Sequence, residues 1–489
     1  MNISRRTLLK WSALALSIRP SHGQAFDSGL AKLRRTFRGE IIRPGDAAYE
    51  TARRVASFNP TTDRHPQLIA RCAEEEDIVR AVLFARDHSL EVAVRAGGFD
   101  VLGASVSDGM VIALSPMKQI TVDHKRRIAR LQSGVRASEL ASAVEGNGLA
   151  AALGCHPAIG VTGLTLGGGL GWLAGKHGAS CDNVIQANIV SAEGKVFRAS
   201  ATENPDLFWA IKGGGGNFGI VSSLEVQLHA VDQVFGGPAA YRGDLAAFLR
   251  FYRDFMKDAP DRLTVELSIR MLGQPTLVAT ACWSGNVAEG ERVLRPLREF
   301  GPPLADGVRV VGYGHLIDRP GPEFGRRLFG DNAPPPPAEI GPVQDYWRGG
   351  SLDELSDGAA AQIAAAVESA PAGWSIGLGH YIHGQAARAT EAESPLPRRR
   401  GQLTYFFDAN WRNPEHGNEA MDWVNQSQAA MQRYASKGTY VDYLSSNSPE
   451  VVEASYGRSY ARLSAIKRQY DPDNFFHRNR NVVPRSSVT

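Results

Sequence analysis

The sequence predicts an α+β fold on three observations. Short β-branched runs pair as hairpins, amphipathic helices stand between them, and three glycine clusters each adjoin a strand-like run. The chain has 489 residues, which predicts two to four structural units with a large buried core. Hydrophobic residues make up 43% and charged residues 21%, which excludes a disordered or collagen-like chain.

At the start of the chain, Ser4-Arg5-Arg6-Thr7-Leu8-Leu9-Lys10, the short apolar run Trp11 to Ile18 and the small residues around Gly23-Gln24-Ala25 read as a twin-arginine signal over 1–25. That address predicts handling by the twin-arginine export machinery and a periplasmic or secreted protein. Residues 74–89 put Ile78, Val82 and Ala85 on one helical face, with acids in the first turn where the helix dipole favours them. Glu91–Arg95 is a strand running into Ala96-Gly97-Gly98, and Met110–Leu114 is a second. Ile120–Asp123 and Ile128–Gln132 form a hairpin about His124–Arg127, and a helix covers Ser138–Glu145. A second hairpin joins Val184–Ser191 to Val196–Ser200. From 235 to 438 the glycine clusters vanish and helices alternate with strands such as Leu263–Leu272 and Leu403–Asn410. Pro334–Pro337 reads as a polyproline II surface loop and Arg398–Arg400 as a solvated one.

Charge and cysteine usage narrow the function. The first 25 residues hold four basic groups and no acid, which leaves 50 basic and 51 acidic groups in the remainder. Such a balance is not the footprint of a nucleic-acid binder. No run approaches the ~20 apolar residues of a membrane span. Cys72, Cys155, Cys181 and Cys282 show no zinc-like spacing, so no metal is expected, and sequence cannot pair them into disulfides.

The glycine clusters are Ala96-Gly97-Gly98 with Gly103, then Gly160–Gly171, then Gly213–Gly219. Glycine brings backbone N–H groups close to a phosphate. Gly214, Gly216 and Gly219 fit the dinucleotide spacing, but that motif needs a helix after it. The next residues, Ile220–Leu228, alternate as a strand, so the Rossmann reading fails. Three loops of this kind predict a long ligand laid across an α+β domain.

Gly160–Gly171, Gly175–Val184, Asn204–Ala210, Gly213–Gly219 and the closing Tyr470–Phe476 with Asn481–Pro484 together resemble the berberine-bridge-enzyme-like branch of the FAD-linked oxidases. The resemblance runs from about Pro44 to Pro484 and is weakest in the middle. It implies a two-part PCMH-type FAD-binding domain over 26–234, completed by 439–489. An antiparallel-sheet substrate domain with helices over 235–438 would roof the flavin. It assigns FAD contacts to Arg95, Ala96, Gly97, Gly98, Phe99, Gly103, His156, Ile159, Gly160, Gly163, Gly167, Gly168, Gly169, Gly171, Asn183, Val184, Gly219, Ile220, Val221 and Asn474.

Two positions depart from the family pattern. The histidine that bonds the flavin 8-methyl carbon is Phe99 here. The flavin-bonding cysteine slot is His156, with Cys155 one residue early. The expectation is noncovalent FAD and a weaker oxidant. The family's proton acceptor maps onto Tyr440-Val441-Asp442-Tyr443, with Tyr443 as base and Asp442 in place of an asparagine. A tyrosine titrates near ~10, so it needs help from a positive neighbour or the flavin to serve. Ile159 stands where relatives tune oxygen reactivity and decides nothing between oxygen and another electron acceptor. His383 is a further candidate, more simply read as structural. The resemblance implies oxidation of a hydroxyl group on a small-molecule substrate, a carbohydrate or secondary metabolite. A redox-inactive flavin-fold binding protein and a flavin-dependent cyclisation or isomerisation enzyme remain alternatives.

Overall fold

The computed structural model describes residues 22–272, 274–317, 344–370, 374–397 and 401–485. The signal motif of residues 4–10, the Pro334–Pro337 loop and Arg398–Arg400 lie outside them, and Gly23–Ala25 begin a helix, His22–Thr36.

The chain spends its strands in three consecutive batches, one sheet each. β1 (Glu40–Ile42), β2 (Leu68–Arg71), β3 (Val92–Arg95) and β4 (Met110–Ala113) form the first, ordered β1-β2-β4-β3. Its two inner pairings are parallel and β1 is antiparallel. Parallel strands are buried on both faces, and here apolar clusters cover both. Helix Glu75–Asp87 supplies one cover with Ile78, Ala81, Val82 and Ala85.

β5 (Ile120–Asp123), β6 (Ile128–Gln132), β7 (Leu149–Ala151), β8 (Val184–Val190), β9 (Val196–Ser200) and β10 (Ile220–Ala230) make the second sheet, with β10 as its hub. Both hairpins read from the sequence are present with their pairing intact. The strand after Gly219 is real, which removes the Rossmann reading on structural grounds.

β11 (Gln233–Tyr241), β12 (Leu263–Leu272), β13 (Gln274–Trp283), β14 (Ala305–Asp306), β15 (Arg309–Gly312), β16 (Gln344–Leu352), β17 (Ser375–Tyr381) and β18 (Leu403–Trp411) build the third, wholly antiparallel sheet. One face is covered by helices Leu245–Lys257, Asp357–Glu368 and Gly417–Met431. Leu263, Val265, Leu267 and Ile269 point into that cover; Thr264, on the other face, donates to the Trp172 carbonyl of the N-terminal half at 2.9 Å.

After Trp411 the chain returns. Tyr440, Tyr456, Leu463 and Val482 join the core of the second sheet, and Phe476 joins that of the first. A fully buried lysine fixes this return. Lys467 donates to the Asn217 and Phe476 carbonyls at 2.7 and 3.0 Å and to Asp471 at 2.5 Å. Asp471 in turn accepts from the N–H groups of Phe475 and Phe476. The third glycine loop and the closing motif are thereby one unit. The α+β class, with two smaller sheets and a larger antiparallel one, agrees with the sequence.

Candidate active site

Two glycine loops meet at the centre. A Cβ on Gly97 would stand 2.4 Å from the Gly160 nitrogen, and one on Gly160 would stand 2.6 Å from that of Gly97. Only paired glycines allow this approach. Past it, Gly98 turns with φ +73°. Among the described residues, none accepts a hydrogen bond from the backbone N–H of Gly97, Gly98, Phe99, Asp100 or Val101. The run is fixed from outside by Asp100, which accepts from Leu102 and Ala104 and pairs with Arg480. Arg95 is corrected as a ligand-facing cation. Its guanidinium donates to the carbonyls of Ala52, Arg53 and Arg54, and its stem backs Gly98. Gly103 packs against Thr62 behind the same loop.

The second loop is also corrected. Gly160 caps the short helix Val161–Leu166 and Gly163 is exposed on it. Gly167, Gly168, Gly169 and Gly171 are buried, and the first three have their N–H groups taken by protein. Gly167 donates to Leu164, Gly168 to Thr165, and Gly169 to the Tyr440 hydroxyl at 2.6 Å. These glycines make room: a Cβ on Gly167 would overlap the Asp442 carboxylate, and one on Gly171 the Leu153 carbonyl. The N–H groups of Gly167, Gly168 and Gly169 are thereby spent within the protein.

Tyr440 is corrected with them. It is 3% exposed, and its hydroxyl sits between Gly169 and the Asp442 carboxylate, to which it donates at 3.0 Å. It pins the loop and is not placed to meet a substrate. Burial pushes the Asp442 carboxyl up to about 6 despite that bond and nearby Arg480.

The polar face of the third sheet closes the site. Glu266 on β12 and His380 on β17 pair at 3.0 Å. Strict alternation would send His380 into the core with Ile376 and Leu378. The register shift between Leu378 and Tyr381 turns it out instead. Cys155 joins this pair; its Sγ, a Glu266 oxygen and a His380 ring nitrogen all lie within 4.8 Å of one another. Burial, with Glu266 beside it, holds the thiol well above its ordinary range. Tyr443 stands next to them, with its ring 6.1 Å from that of His380 and bonded to Thr404. Burial and then Glu266 drive its hydroxyl far above 10. Among the described residues no positive neighbour is there to make it a base. The rings of Trp347 and Phe406 complete the wall, at 5.4 and 6.2 Å from Tyr443. They lie flat because glycines face them: a Cβ on Gly349 would strike Trp347, on Gly377 Phe406, and on Gly379 the Tyr443 hydroxyl.

Phe99 is 37% exposed and packs on His156, ring centroids 5.1 Å apart. Ile159, half-buried, comes just after them. The remaining positions sit deeper. The Asn183 side chain is spent on the His177 and Ala179 carbonyls and on His229, so it is corrected to a structural role; Val184 is core. Gly219 packs on Ile189, and Ile220 and Val221 are buried in β10 beside β8. Asn474, at φ +53°, has a buried Oδ1 with no partner among the described residues. His383 is buried, bonded to the Tyr381 carbonyl and packed on Gly175. Among the described residues none of the four cysteines is in a disulfide.

Sequence reasoning missed Glu266, His380, Trp347 and Phe406. The one available signal was the acid at the middle of Leu263–Leu272, whose alternate positions are all apolar.

The glycine loop with unspent N–H groups and the polar sheet face are thus joined through Phe99, His156 and Cys155. Residues 66–200 match the FAD binding domain family and 439–483 the family described as berberine and berberine like. The chain is 29% identical over 477 residues to (R)-6-hydroxynicotine oxidase of Paenarthrobacter nicotinovorans, covering 92% of this chain and 98% of that one. It is 28% identical to tetrahydroberberine oxidase of Argemone mexicana, covering 89% and 86%. The crystal structure of 6-hydroxy-D-nicotine oxidase from Arthrobacter nicotinovorans superposes with a TM-score of 0.81 at 26% identity, covering 92% and 99%. The chain carries an FAD binding domain and a berberine-like domain and resembles the FAD-linked oxidoreductases over most of its length, and its cofactor is FAD.

Proposed function

We propose that the protein is an exported enzyme that oxidises a hydroxyl group of a carbohydrate or secondary metabolite, with FAD held noncovalently. The observation that carries this reading is a chain of contacts. Phe99, in the unspent N–H run Gly97–Val101, packs on His156 at 5.1 Å, and the adjacent Cys155 lies within 4.8 Å of the Glu266–His380 pair, beside Tyr443.

The residues fit the cofactor. Consecutive N–H groups around a positive-φ glycine form an anion nest, suited to a pyrophosphate. Noncovalent binding follows from Phe99, which has no nucleophilic atom, and from Cys155, whose sulfur is engaged with Glu266 and His380. When bound, FAD supplies a two-electron acceptor for the hydride of the alcohol carbon.

The proton is this chain's task. Tyr443 keeps its own proton at neutral pH, so its hydroxyl orients the substrate oxygen by hydrogen bonding rather than deprotonating it. The His380 imidazole accepts the hydroxyl proton, and Glu266 stabilises the imidazolium that forms. Trp347 and Phe406 give the substrate ring a flat apolar bed and exclude water. Oxygen or another acceptor then takes the electrons.

The test is anaerobic mixing of the yellow protein with a panel of alcohols. Bleaching by one of them, abolished in His380→Gln at unchanged flavin content, supports the reading. A flavin that no alcohol bleaches would turn the assignment to a flavin-fold binding protein. Flavin left in the pellet after acid precipitation would refute noncovalent attachment. Export rests on Ser4–Lys10 and is tested by replacing Arg5 and Arg6 with Lys, which should strand the precursor in the cytoplasm.

A further inference from the structure

Cys155, Glu266 and His380 are far apart in the chain and meet in one half-buried cluster. They offer one soft sulfur, one imidazole nitrogen and one carboxylate oxygen, all within 4.8 Å of one another. The Glu266 oxygen and His380 Nδ1, 3.0 Å apart, are already close to the spacing of two ligands on one small cation. Tetrahedral zinc holds sulfur at ~2.3 Å and imidazole nitrogen at ~2.0 Å, which places neighbouring ligand atoms about 3–4 Å apart. The widest separation, at most 4.8 Å, closes to that geometry with about an ångström of side-chain movement. The Glu266 and His380 side chains are only 23% and 12% exposed, and their backbones are held in adjacent ladders, β12 beside β17. The cluster is therefore pre-organised and partly desolvated.

We propose that Cys155, Glu266 and His380 form a binding site for one zinc-class divalent ion in the wall of the cleft. Three protein ligands leave a fourth position for water or for a substrate oxygen, the arrangement of catalytic rather than structural zinc. Mixed sulfur and nitrogen donors select zinc or cobalt over magnesium or calcium, which require oxygen shells. Binding breaks the Cys155 S–H bond and forms a sulfur–metal bond, with the proton released to buffer; no electrons move. The His380–Glu266 contact is replaced by coordination of both to the ion. Because His380 and Glu266 would then hold the ion, occupancy takes away the imidazole base proposed above, and a substrate hydroxyl beside Tyr443 meets the ion instead. The binding claim rests on the three side chains and holds whether or not the protein oxidises alcohols.

The experiment uses the tag-free, FAD-loaded protein titrated with cobalt chloride and then zinc chloride. Cobalt should bind one per chain and give ligand-field bands to the red of the flavin absorption. Zinc should erase them. Cys155→Ser should lose the sulfur-to-cobalt charge-transfer signature, and Glu266→Gln should weaken binding by about tenfold or more, a typical loss for a disturbed metal site. Flavin content and melting temperature confirm that each variant is folded. Wild type without such bands, or identical bands in Cys155→Ser and Glu266→Gln, would overturn the proposal.

Discussion

Replacing Lys467 with Met tests the claim that one buried cation joins the two ends of the FAD-binding half. The Lys467 ammonium is completely buried, with three partners at 2.5–3.0 Å: Asn217 of the third glycine loop, and Asp471 and Phe476 of the closing motif. Met fills nearly the same volume, so no large cavity adds to the effect. Asp471 keeps two backbone donors but loses its counter-ion in a site with no solvent. Breaking a buried pair on one side costs about 3–5 kcal/mol. Unfolding entropy of about 2.1 cal/mol/K per residue gives about 1 kcal/mol/K for this chain, so the melting temperature should fall by about 3–5 °C. Removing both charges, as Lys467→Met with Asp471→Asn, should recover part of that loss, because no uncompensated charge remains. Calorimetry at saturating FAD is the assay. A fall of less than about 1 °C in the single variant would refute the reasoning, as would a double variant whose loss is the sum of the two single ones.

Three further outcomes are expected from the site. Burial raises Asp442 to about 6 in the fold against ~3.9 when unfolded, so the unfolded chain releases its proton first; its own contribution to stability should fall by about 3 kcal/mol as pH rises from about 4 to about 6, and Asp442→Asn should raise stability at pH 6 relative to pH 4 when compared with the wild type. His177 and His229 stack at 3.8 Å, and burial depresses them to about 3 and about 4, so the unfolded chain binds more protons below ~6.5. Their contribution to stability therefore drops as pH falls from about 6.5 towards 4, against that of Asp442, and His229→Gln, which keeps a donor for Asn183, should remove part of that acid-side loss when compared with the wild type. Phe99→His places a nucleophilic nitrogen at a 37% exposed position where the family bonds its flavin; in air, flavin should move from supernatant to pellet after acid precipitation.

Local signals made most of the FAD-binding half legible. The hairpins β5–β6 and β8–β9 and the helix Glu75–Asp87 are set by residues a few positions apart, and periodicity finds them within a residue or two. The glycine clusters were also visible, but not the reason for each glycine. A glycine admits a phosphate, a neighbouring backbone or a neighbouring side chain with equal ease, and the sequence does not distinguish them. Gly97 and Gly160 exist for each other, Gly167 for Asp442, and Gly377 for Phe406. Only the folded chain separates donors such as the Gly97–Val101 run from fillers such as Gly167–Gly169.

The chemistry of the upper wall was hidden for a different reason. Glu266 and His380 sit on strands adjacent in space but more than a hundred residues apart in sequence, and a register shift moves His380 off the face that its parity assigns. Tyr443, by contrast, was found through a motif, and burial with Glu266 nearby raises its hydroxyl rather than lowering it. A phenol can serve as a base only where a positive charge lowers its pKa, and this one faces Glu266 within a buried site. The same carboxylate that disqualifies the tyrosine as a base qualifies the histidine, because it stabilises a positive imidazolium. Tyr443→Phe should therefore slow turnover by losing one substrate hydrogen bond, about tenfold for the ~1.4 kcal/mol such a bond contributes. His380→Gln should cost about 10²–10⁴-fold, the usual weight of a positioned acid–base group. Measured side by side under substrate saturation, the opposite order would return the base to Tyr443.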